Sequence, residues 1–415
     1  MFNHRDQEFM KFVRQRNLQN QRQKKRINLG AIIQIFNKFK RIKFKYFLSF
    51  LTVLIVIIYQ AYSPVDYRSS SDWITYLSNI PKPPTSQSPW PWKDHQTIHP
   101  IITSITPEIE TSIKSVAQYI AEHETNPYLQ VKAIHDYVIS RVTYDLDVLT
   151  TGIRPSQDAQ TVFLTHKGVC EGYANLFREL GQAMGLDVVY IKGKVRRDLA
   201  PIDLIPEAFR LLKSNYDWTL HAWNAVNVDG NWQLVDTTWD DTDSESLYRT
   251  DYLLIPPEVM IISHLPVIQS WQLLHHPKNY TSFEKQPILN PQFFAEGLTM
   301  ISPREYDTTV QKTGVIEIQT SPNYTGIIYG LLSKNRESKS FLWNGFFNRS
   351  KAQDEEVKVC KTDKNVRGNV RINCQFSQAG NYEVLLFSFD PKNESVNTQR
   401  DFRGRLKFSS REVKD

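Results

Sequence analysis

The pattern of apolar residues divides the chain into one unbroken apolar run, a middle region with helical spacing and a final region of short strands. The unbroken run covers residues 46–63, which carry no charged side chain. About 20 apolar residues are needed for a helix to cross a bilayer, and a buried core helix of that length would normally show a polar face. The run therefore predicts a transmembrane signal-anchor helix over residues 46–63.

Helical spacing appears in the middle region. It predicts one helix from about Pro107 to His123 and a second that begins near Asn126, a residue type that caps helix starts. A third helix is predicted to begin at or near Cys170 and to end at Gly185. Its apolar side is formed by Tyr173, Phe177, Leu180 and Met184.

A β-hairpin is predicted after these helices. Two β-prone runs, 221–228 and 232–238, flank Asp229-Gly230, the residue pair that a tight type I′ turn prefers. A two-residue loop of this kind pairs Val228 with Asn231. The turn therefore fixes the register of the whole hairpin.

That register brings two polar residues to one face. It predicts that Trp223 faces Asp236 and that His221 faces Thr238. Side chains alternate along a strand, so His221 shares a face with Trp223 and hence with Asp236. The two are then diagonal neighbours within reach of a hydrogen bond.

The last region contains short strand-like runs separated by polar turns. Its clearest runs are residues 314–319, 326–332 and 382–389. Short strands without helices predict an antiparallel β-sandwich over residues 290–415. Residues 379–384 resemble the late strand of immunoglobulin-like folds, in which a tyrosine closes a corner.

Charge is concentrated at the N-terminus. Residues 1–45 hold 13 Lys and Arg against 2 Asp and Glu, a net +11, whereas the remainder is net −5. Basic residues directly before the apolar run predict a cytoplasmic arm and an extracytoplasmic C-terminal part. A cleaved signal peptide is the alternative, but its basic region would be much shorter. A nucleic-acid-binding tail is less favoured, because the membrane segment already accounts for the charge.

A linker is predicted between the apolar run and the middle domain. Residues 64–97 contain six prolines among Ser, Thr and Gln, which indicates a semi-rigid spacer. Trp90 and Trp92 either touch the lipid interface or pack on the folded domain. Both alternatives are open at this point.

Candidate chemistry centres on Cys170. A thiol in the first turn of a helix lies at the positive end of the helix dipole, which favours the nucleophilic thiolate. A lone cysteine is more often a small buried hydrophobe, so a base is needed. His221 would take the thiol proton, and Asp236 would hold its imidazole in the right tautomer. Cys170, His221 and Asp236 are thus predicted as a triad, the alternative being that His221 and Asp236 are a buried polar pair.

The other two cysteines lie in the last region. Cys360 and Cys374 are 14 positions apart and could form a disulfide outside the cytoplasm, which leaves Cys170 as the odd thiol. Two cysteines with no nearby histidine argue against a zinc site. We therefore predict no metal and no cofactor.

Three motifs carry a family resemblance. The sequences GVCEGYA at residues 168–174, HAWN at 221–224 and VDTTW at 235–239 resemble the core motifs of the transglutaminase-like superfamily. The resemblance is closest to its kyphoscoliosis-peptidase branch and the bacterial relatives of that branch. Residues 252–254 and 264–266 resemble the same branch. The resemblance covers roughly residues 98–287, and the segment 196–217 departs from it as an insertion and a candidate lid.

The resemblance implies an α+β fold with a papain-like core. It also implies a Cys-His-Asp triad on Cys170, His221 and Asp236, with acyl transfer through a thioester. The expected protein is a membrane-anchored enzyme that hydrolyses amide bonds of a peptide or protein substrate outside the cytoplasm. Protein cross-linking by transfer to an amine, or a surface binding module without turnover, are the alternatives.

Overall fold

A computed structural model describes residues 88–151, 153–196, 218–241, 248–334, 358–364, 368–391 and 402–411. The predicted basic arm, the apolar run at 46–63, most of the linker and the insertion beyond Arg196 lie outside these residues. Within the described part of the chain, no helix is both long enough and apolar enough to cross a membrane.

The helices of the described residues lie in the middle of the chain, except for one short helix at the start of the last region. They are α1 Pro100–Thr103, α2 Ile113–His123, α3 Pro127–Arg141, α4 Asp147–Thr151, α5 Ala159–Thr165, α6 Cys170–Ala183, α7 Thr237–Asp240, α8 Pro257–Met260, α9 Tyr280–Glu284 and α10 Pro291–Ala295, with a 3-10 helix at Gln269–Gln272. The predicted starts of α3 and α6 are confirmed, because Asn126 caps α3 and α6 begins at Cys170.

The start predicted for α2 was wrong. The helix begins at Ile113 rather than near Pro107, because Ser112 is its N-cap. The Ser115 backbone N–H donates to the Ser112 hydroxyl at 3.0 Å, and the Ser112 N–H donates to the Ser115 hydroxyl at 2.9 Å. This reciprocal pair satisfies two backbone donors that a helix start would otherwise leave unpaired.

A five-stranded antiparallel sheet forms the other half of the middle domain. The strands of this domain are β1 Thr143–Tyr144, β2 Lys167–Gly168, β3 Val188–Arg196, β4 Trp218–Val228, β5 Asn231–Val235, β6 Leu253–Ile255 and β7 His264–Pro266. The sheet order is β6-β5-β4-β3-β7, while β1 and β2 pair separately. Helices α2, α3 and α6 pack with alternate residues of β4, such as Val226 and Val228, into one buried core.

The β4–β5 hairpin has the predicted turn. Asp229 has φ 50° and Gly230 has φ 82°, and Val228 pairs with Asn231. The prediction that His221 faces Thr238 was wrong, because β5 ends at Val235 and α7 begins at Thr237.

The end of the predicted linker packs on this domain. Trp92 is buried, and its indole N–H donates to the carbonyl of Leu253 at 2.7 Å. The indole N–H of Trp90 donates to the carbonyl of Asp251 at 2.9 Å. Of the two alternatives for these tryptophans, the structure has them packed on the protein, so the folded part begins before the predicted residue 98.

Two sheets follow and enclose a second core. Their strands are β8 Ile288–Leu289, β9 Thr299–Ser302, β10 Asp307–Val310, β11 Thr313–Gln319, β12 Ile327–Lys334, β13 Lys358–Val359, β14 Lys361–Lys364, β15 Asn369–Gln375, β16 Gly380–Phe389 and β17 Phe402–Ser410. One sheet has the order β14-β15-β11-β9 and the other β10-β17-β16-β12-β13, with β8 beside β17. Cys360, where the chain passes from one sheet to the other, is joined to Cys374 by a disulfide.

Gly193 is where the central sheet is most tightly packed. It pairs with His221 on one side and Pro266 on the other. A Cβ at this position would lie 2.3 Å from the ring of Trp223 and 2.4 Å from the carbonyl oxygen of Leu265. Only a residue without a side chain lets β3, β4 and β7 approach in this way.

We expect Gly193→Ala to lower the free energy of unfolding by about 1–3 kcal/mol, since the ring of Trp223 or the backbone of β7 must move. Urea denaturation followed by tryptophan fluorescence measures the change. Gly168→Ala is the matched control, because its Cβ would meet no atom closer than 3.4 Å. Equal stability of Gly193→Ala and the wild type would contradict the close approach.

Candidate active site

Cys170 is the first residue of α6. It is the free cysteine of the chain, and its side chain is partly exposed. The residue before it, Val169, is the N-cap, and its backbone N–H donates to the side-chain oxygen of Gln157 at 2.8 Å. The thiol therefore lies at the end of the helix where the unpaired backbone donors are, as the sequence predicted.

Gly172 makes room for this contact. A Cβ on Gly172 would lie 2.7 Å from the side-chain oxygen of Gln157, whereas one on Gly168 would make only ordinary contacts. Gly172 is therefore the glycine that the packing around Gln157 requires. Gln157 itself was missed, since a glutamine 13 residues before Cys170 carries no recognisable signal.

His221 and Asp236 form a direct hydrogen bond. Nε2 of His221 lies 2.6 Å from Oδ2 of Asp236, and both side chains are buried. The other oxygen of Asp236 accepts the backbone N–H groups of Thr238 at 2.9 Å and Trp239 at 3.2 Å, so Asp236 also caps α7. Since Nε2 of His221 is engaged by the carboxylate, Nδ1 is the nitrogen left for the thiol.

Cys170 lies beside this pair, and its side chain is hydrogen-bonded to His221. Burial lowers the pKa of His221, but the charge of Asp236, together with the charge and hydrogen bonding of Cys170, outweighs it and raises the pKa to about 10. Burial raises the pKa of Asp236, yet His221 and His264 hold it well below its usual range. At neutral pH the structure thus favours an imidazolium between a carboxylate and the thiol.

His264 is a further member of the site. Its Nε2 lies 2.9 Å from Oδ2 of Asp236, and its Nδ1 lies 2.6 Å from the hydroxyl of Ser263. Sequence reasoning noted His264 only as part of the family resemblance. Its position could not be derived, because β7 joins the sheet through β3, which is 70 residues earlier in the chain.

The spacing of His221, Asp236 and His264 favours hydrogen bonds over a metal site. Ligand atoms of His221, Asp236 and His264 all lie within 4.8 Å of one another. Two ligands at about 2.1 Å from a tetrahedral zinc lie about 3.4 Å apart. Both histidine nitrogens are closer than that to one carboxylate oxygen, so the geometry fits hydrogen bonds better than a metal.

Tyr144 adjoins the thiol from β1. It pairs with Gly168, and its ring lies 6.2 Å from that of Tyr173 on α6. Burial, the largest cause, and the charge of Cys170 raise the pKa of Tyr144, while hydrogen bonding from the Cys170 backbone N–H lowers it. The phenol therefore stays protonated and remains a donor beside that backbone amide.

His135 has a structural place in the buried core. Its Nδ1 lies 2.9 Å from Asp136 and its Nε2 lies 3.0 Å from Asp240, all within the buried core. Asp240 also accepts the backbone N–H of Tyr252. His135 thereby ties α3 to α7 and lies apart from the thiol.

With this geometry established, comparison with known proteins identifies the domain. The family model of the transglutaminase-like superfamily matches residues 114–237. The chain contains a transglutaminase-like domain. The match includes Cys170, His221 and Asp236, so the predicted resemblance to this superfamily is confirmed for that domain.

Curated relatives resemble the transglutaminase-like domain over part of their length. Mouse kyphoscoliosis peptidase is 26% identical over 202 residues, which are 47% of this chain and 29% of the relative. The human protein is 28% identical over 181 residues, 42% of this chain and 26% of the relative. Drosophila hillarin is 29% identical over 147 residues, 31% of this chain and 17% of the relative. The chain thus spans less than a third of the length of these relatives.

A solved structure shows partial likeness. It is a Cytophaga hutchinsonii protein described as a candidate cysteine protease, with a TM-score of 0.23 and 20% identity, covering 38% of this chain and 48% of the other. The comparisons with the superfamily and with the kyphoscoliosis peptidases support the predicted class of enzyme, a cysteine peptidase or a transglutaminase.

Asp236→Asn tests the electrostatics of the transglutaminase-like domain. Loss of the negative charge lowers the pKa of His221, so less imidazolium is present to stabilise the Cys170 thiolate. We expect alkylation of Cys170 by iodoacetamide at pH 6.5 to slow by about tenfold or more, because Asp236 is the main cause that raises the pKa of the buried His221 ring and each pKa unit is a tenfold change in protonation ratio. Mass spectrometry of the labelled peptide gives the rate.

Asp229→Asn is the matched control. It makes the same substitution in the same hairpin, at an exposed turn position where asparagine is equally suited. Its labelling rate should equal that of the wild type. Similar slowing in both variants would trace the effect to the fold rather than to the carboxylate.

Proposed function

We propose that the protein is a membrane-anchored cysteine enzyme that transfers acyl groups through a thioester, with Cys170 as nucleophile, His221 as general acid and base, and Asp236 as the group that orients His221. The supporting observation is the buried 2.6 Å hydrogen bond between His221 and Asp236, with the side chain of Cys170 hydrogen-bonded to His221. The expected reaction is hydrolysis of a peptide or protein amide bond.

The chemistry follows from the protonation states. The Cys170 thiolate attacks the substrate carbonyl carbon, forming a C–S bond and leaving negative charge on the carbonyl oxygen. Protonated His221 gives its proton to the leaving amine as the C–N bond breaks, which leaves a thioester on Cys170. His221 then takes a proton from water, the hydroxyl oxygen bonds to the thioester carbon, and the C–S bond breaks. The carboxylic acid departs and the thiolate is restored.

The developing negative charge needs donors. The backbone N–H of Cys170 is one, because it lies at a helix start without an intrahelical acceptor. The Tyr144 hydroxyl is proposed as the second, since its phenol is protonated and its neighbour is that same backbone N–H.

Membrane attachment and location stand as part of the proposal. Residues 46–63 carry no charge and follow a basic arm, which supports a single-pass anchor with the catalytic domain outside the cytoplasm. The disulfide between Cys360 and Cys374 is consistent with an oxidising compartment. The bilayer and a protein or peptide substrate are then the partners.

The final domain is proposed to be immunoglobulin-like. Its two sheets have strand orders that match the ABED and CFG arrangement of that fold. The hydroxyl of Tyr382 donates to the carbonyl of Gln378 at 2.9 Å, as in the tyrosine corner of such domains. This likeness of fold supports no activity of its own.

A peptide library tests the reaction. We expect the full-length protein in detergent to produce new peptide ends that incorporate oxygen from labelled water, detected by mass spectrometry. An added primary amine that appears in the products instead would favour the cross-linking alternative. Cys170→Ala is the control and should remove either product. If neither product depends on Cys170, the domain binds without turnover.

Tyr144→Phe tests the second donor. Removing one oxyanion donor lowers kcat by about 10²–10³ with little effect on KM. Tyr190→Phe is the matched control. Besides burial, the charge of Cys170 also raises the pKa of Tyr190, but the Tyr190 hydroxyl has no hydrogen bond with the Cys170 backbone. Steady-state kinetics on a cleaved peptide distinguish the two. Equal losses in both variants would place Tyr144 outside the oxyanion site.

A further inference from the structure

His264 occupies a place that the triad alone does not explain. Its ring is fully enclosed, and both nitrogens are engaged: Nε2 with Asp236 Oδ2 at 2.9 Å and Nδ1 with the Ser263 hydroxyl at 2.6 Å. A buried polar group that lacked partners would cost several kcal/mol. This histidine therefore has a defined orientation.

The carboxylate of Asp236 determines which nitrogen of His264 donates a hydrogen bond and which accepts one. Ionised Asp236 can only accept, so Nε2 of His264 must carry its hydrogen. Burial, which outweighs the charge of Asp236, lowers the pKa of His264 to about 4 and keeps the ring neutral at neutral pH. A neutral imidazole with hydrogen on Nε2 accepts at Nδ1, so the hydroxyl of Ser263 donates to it.

Aromatic rings hold His264 in this orientation. Ring centroids of Trp239 and Trp223 lie 4.4 and 5.0 Å from that of His264, and that of Tyr252 lies 5.4 Å away. The titratable groups that face it are Asp236, His221 and Tyr252. Enclosure of this kind leaves the ring no alternative partner.

We propose that His264 is a positioning residue, which donates to Oδ2 of Asp236 and fixes the carboxylate in the orientation that holds His221 towards Cys170. The proposal rests on the proposed function of the triad. The two helix N–H groups bind only Oδ1 of Asp236, so they leave the direction of Oδ2 to the two histidines. One histidine, His221, takes part in proton transfer, and the other acts through Asp236.

The proposed positioning role requires that the His264 ring be neutral. A permanent cation in its place would satisfy the same oxygen but would offset the negative charge that raises the pKa of His221. A neutral donor fixes the carboxylate while leaving that charge for His221. Loss of the donor should therefore change the reactivity of Cys170 and kcat, and leave KM nearly unchanged.

His264→Met and His264→Gln form the decisive pair. The two side chains have nearly the same length, but only glutamine carries an N–H donor that can reach Asp236. The test is the rate of Cys170 alkylation by iodoacetamide across pH 5–9 in the full-length protein, with urea denaturation of each variant. His123→Ala, at the exposed end of α2, is the unrelated control.

We expect His264→Met to slow alkylation at pH 6.5 by about tenfold and to move the acid limb of the rate profile to higher pH, because a carboxylate that no longer points at His221 stabilises the ion pair between His221 and Cys170 less well. His264→Gln should stay within about threefold of the wild type. Equal slowing in both variants would overturn the proposal, because loss of packing would then explain the effect. An unchanged rate in His264→Met would also overturn it, because the donor would then have no effect on Cys170.

Two further measurements keep the outcomes distinct. If wild-type Cys170 reacts no faster than in denatured protein, the proposed function fails, whatever the variants show. If the wild type is fast, Asp236→Asn is slow and His264→Met is unchanged, only the role of His264 fails. Should His264→Met not fold, His264→Asn replaces it, because the shorter asparagine places its amide near the position of Nδ1, keeping a polar partner for Ser263, and lacks the donor to Asp236. A profile equal to that of the wild type would then overturn the proposal.

Discussion

The buried carboxylate of Asp236 is the interaction on which the site depends. An ionised carboxylate away from water is unstable by several kcal/mol unless hydrogen bonds and opposite charge replace its hydration. Asp236 receives four such donors, from the backbone of α7, from His221 on β4 and from His264 on β7. Because these donors come from separate elements, the sheet must be assembled before the carboxylate is satisfied. Assembly of the sheet and creation of the charged site are therefore one event.

A second buried network supports the same short helix. Lys132 and His135 on α3 bind Asp136, and His135 also binds Asp240, the last residue of α7. Asp236 caps the start of α7 and Asp240 is its last residue. The two hydrogen-bond networks are therefore connected through this four-residue helix. Charge on Asp236 is among the causes that raise the pKa of Asp240, after burial. The position of Asp236 thus depends on groups well away from the thiol.

The features predicted correctly from the sequence are those that neighbouring residues determine. The turn at Asp229-Gly230 and the start of α6 at Cys170 follow from local conformational preference. Two predictions failed where a cap competed with a longer pattern. Ser112 starts α2 later than its apolar spacing suggested, and Asp236 ends β5 because an aspartate also caps helices.

The remaining features are set by contacts between distant parts of the chain. His264 reaches Asp236 only because β7 pairs with β3, and Gln157 reaches α6 only because Gly172 leaves space for it. Neither contact has a period or a spacing that a single sequence reveals. A family resemblance can point to such residues, but their partners require the fold.

Exposure decides where the two candidate reactions differ. His221, Asp236 and His264 are buried, whereas Cys170 is partly exposed, so substrate must approach from the side of the thiol. Hydrolysis and amine transfer share every step as far as the thioester, and the buried groups serve both equally. Glu171, the residue after Cys170, forms an ion pair with Arg154, and about half of the Arg154 side chain and a third of the Glu171 side chain are exposed. The buried groups therefore do not select between water and an amine, so the selection must lie with the exposed surface around the thiol.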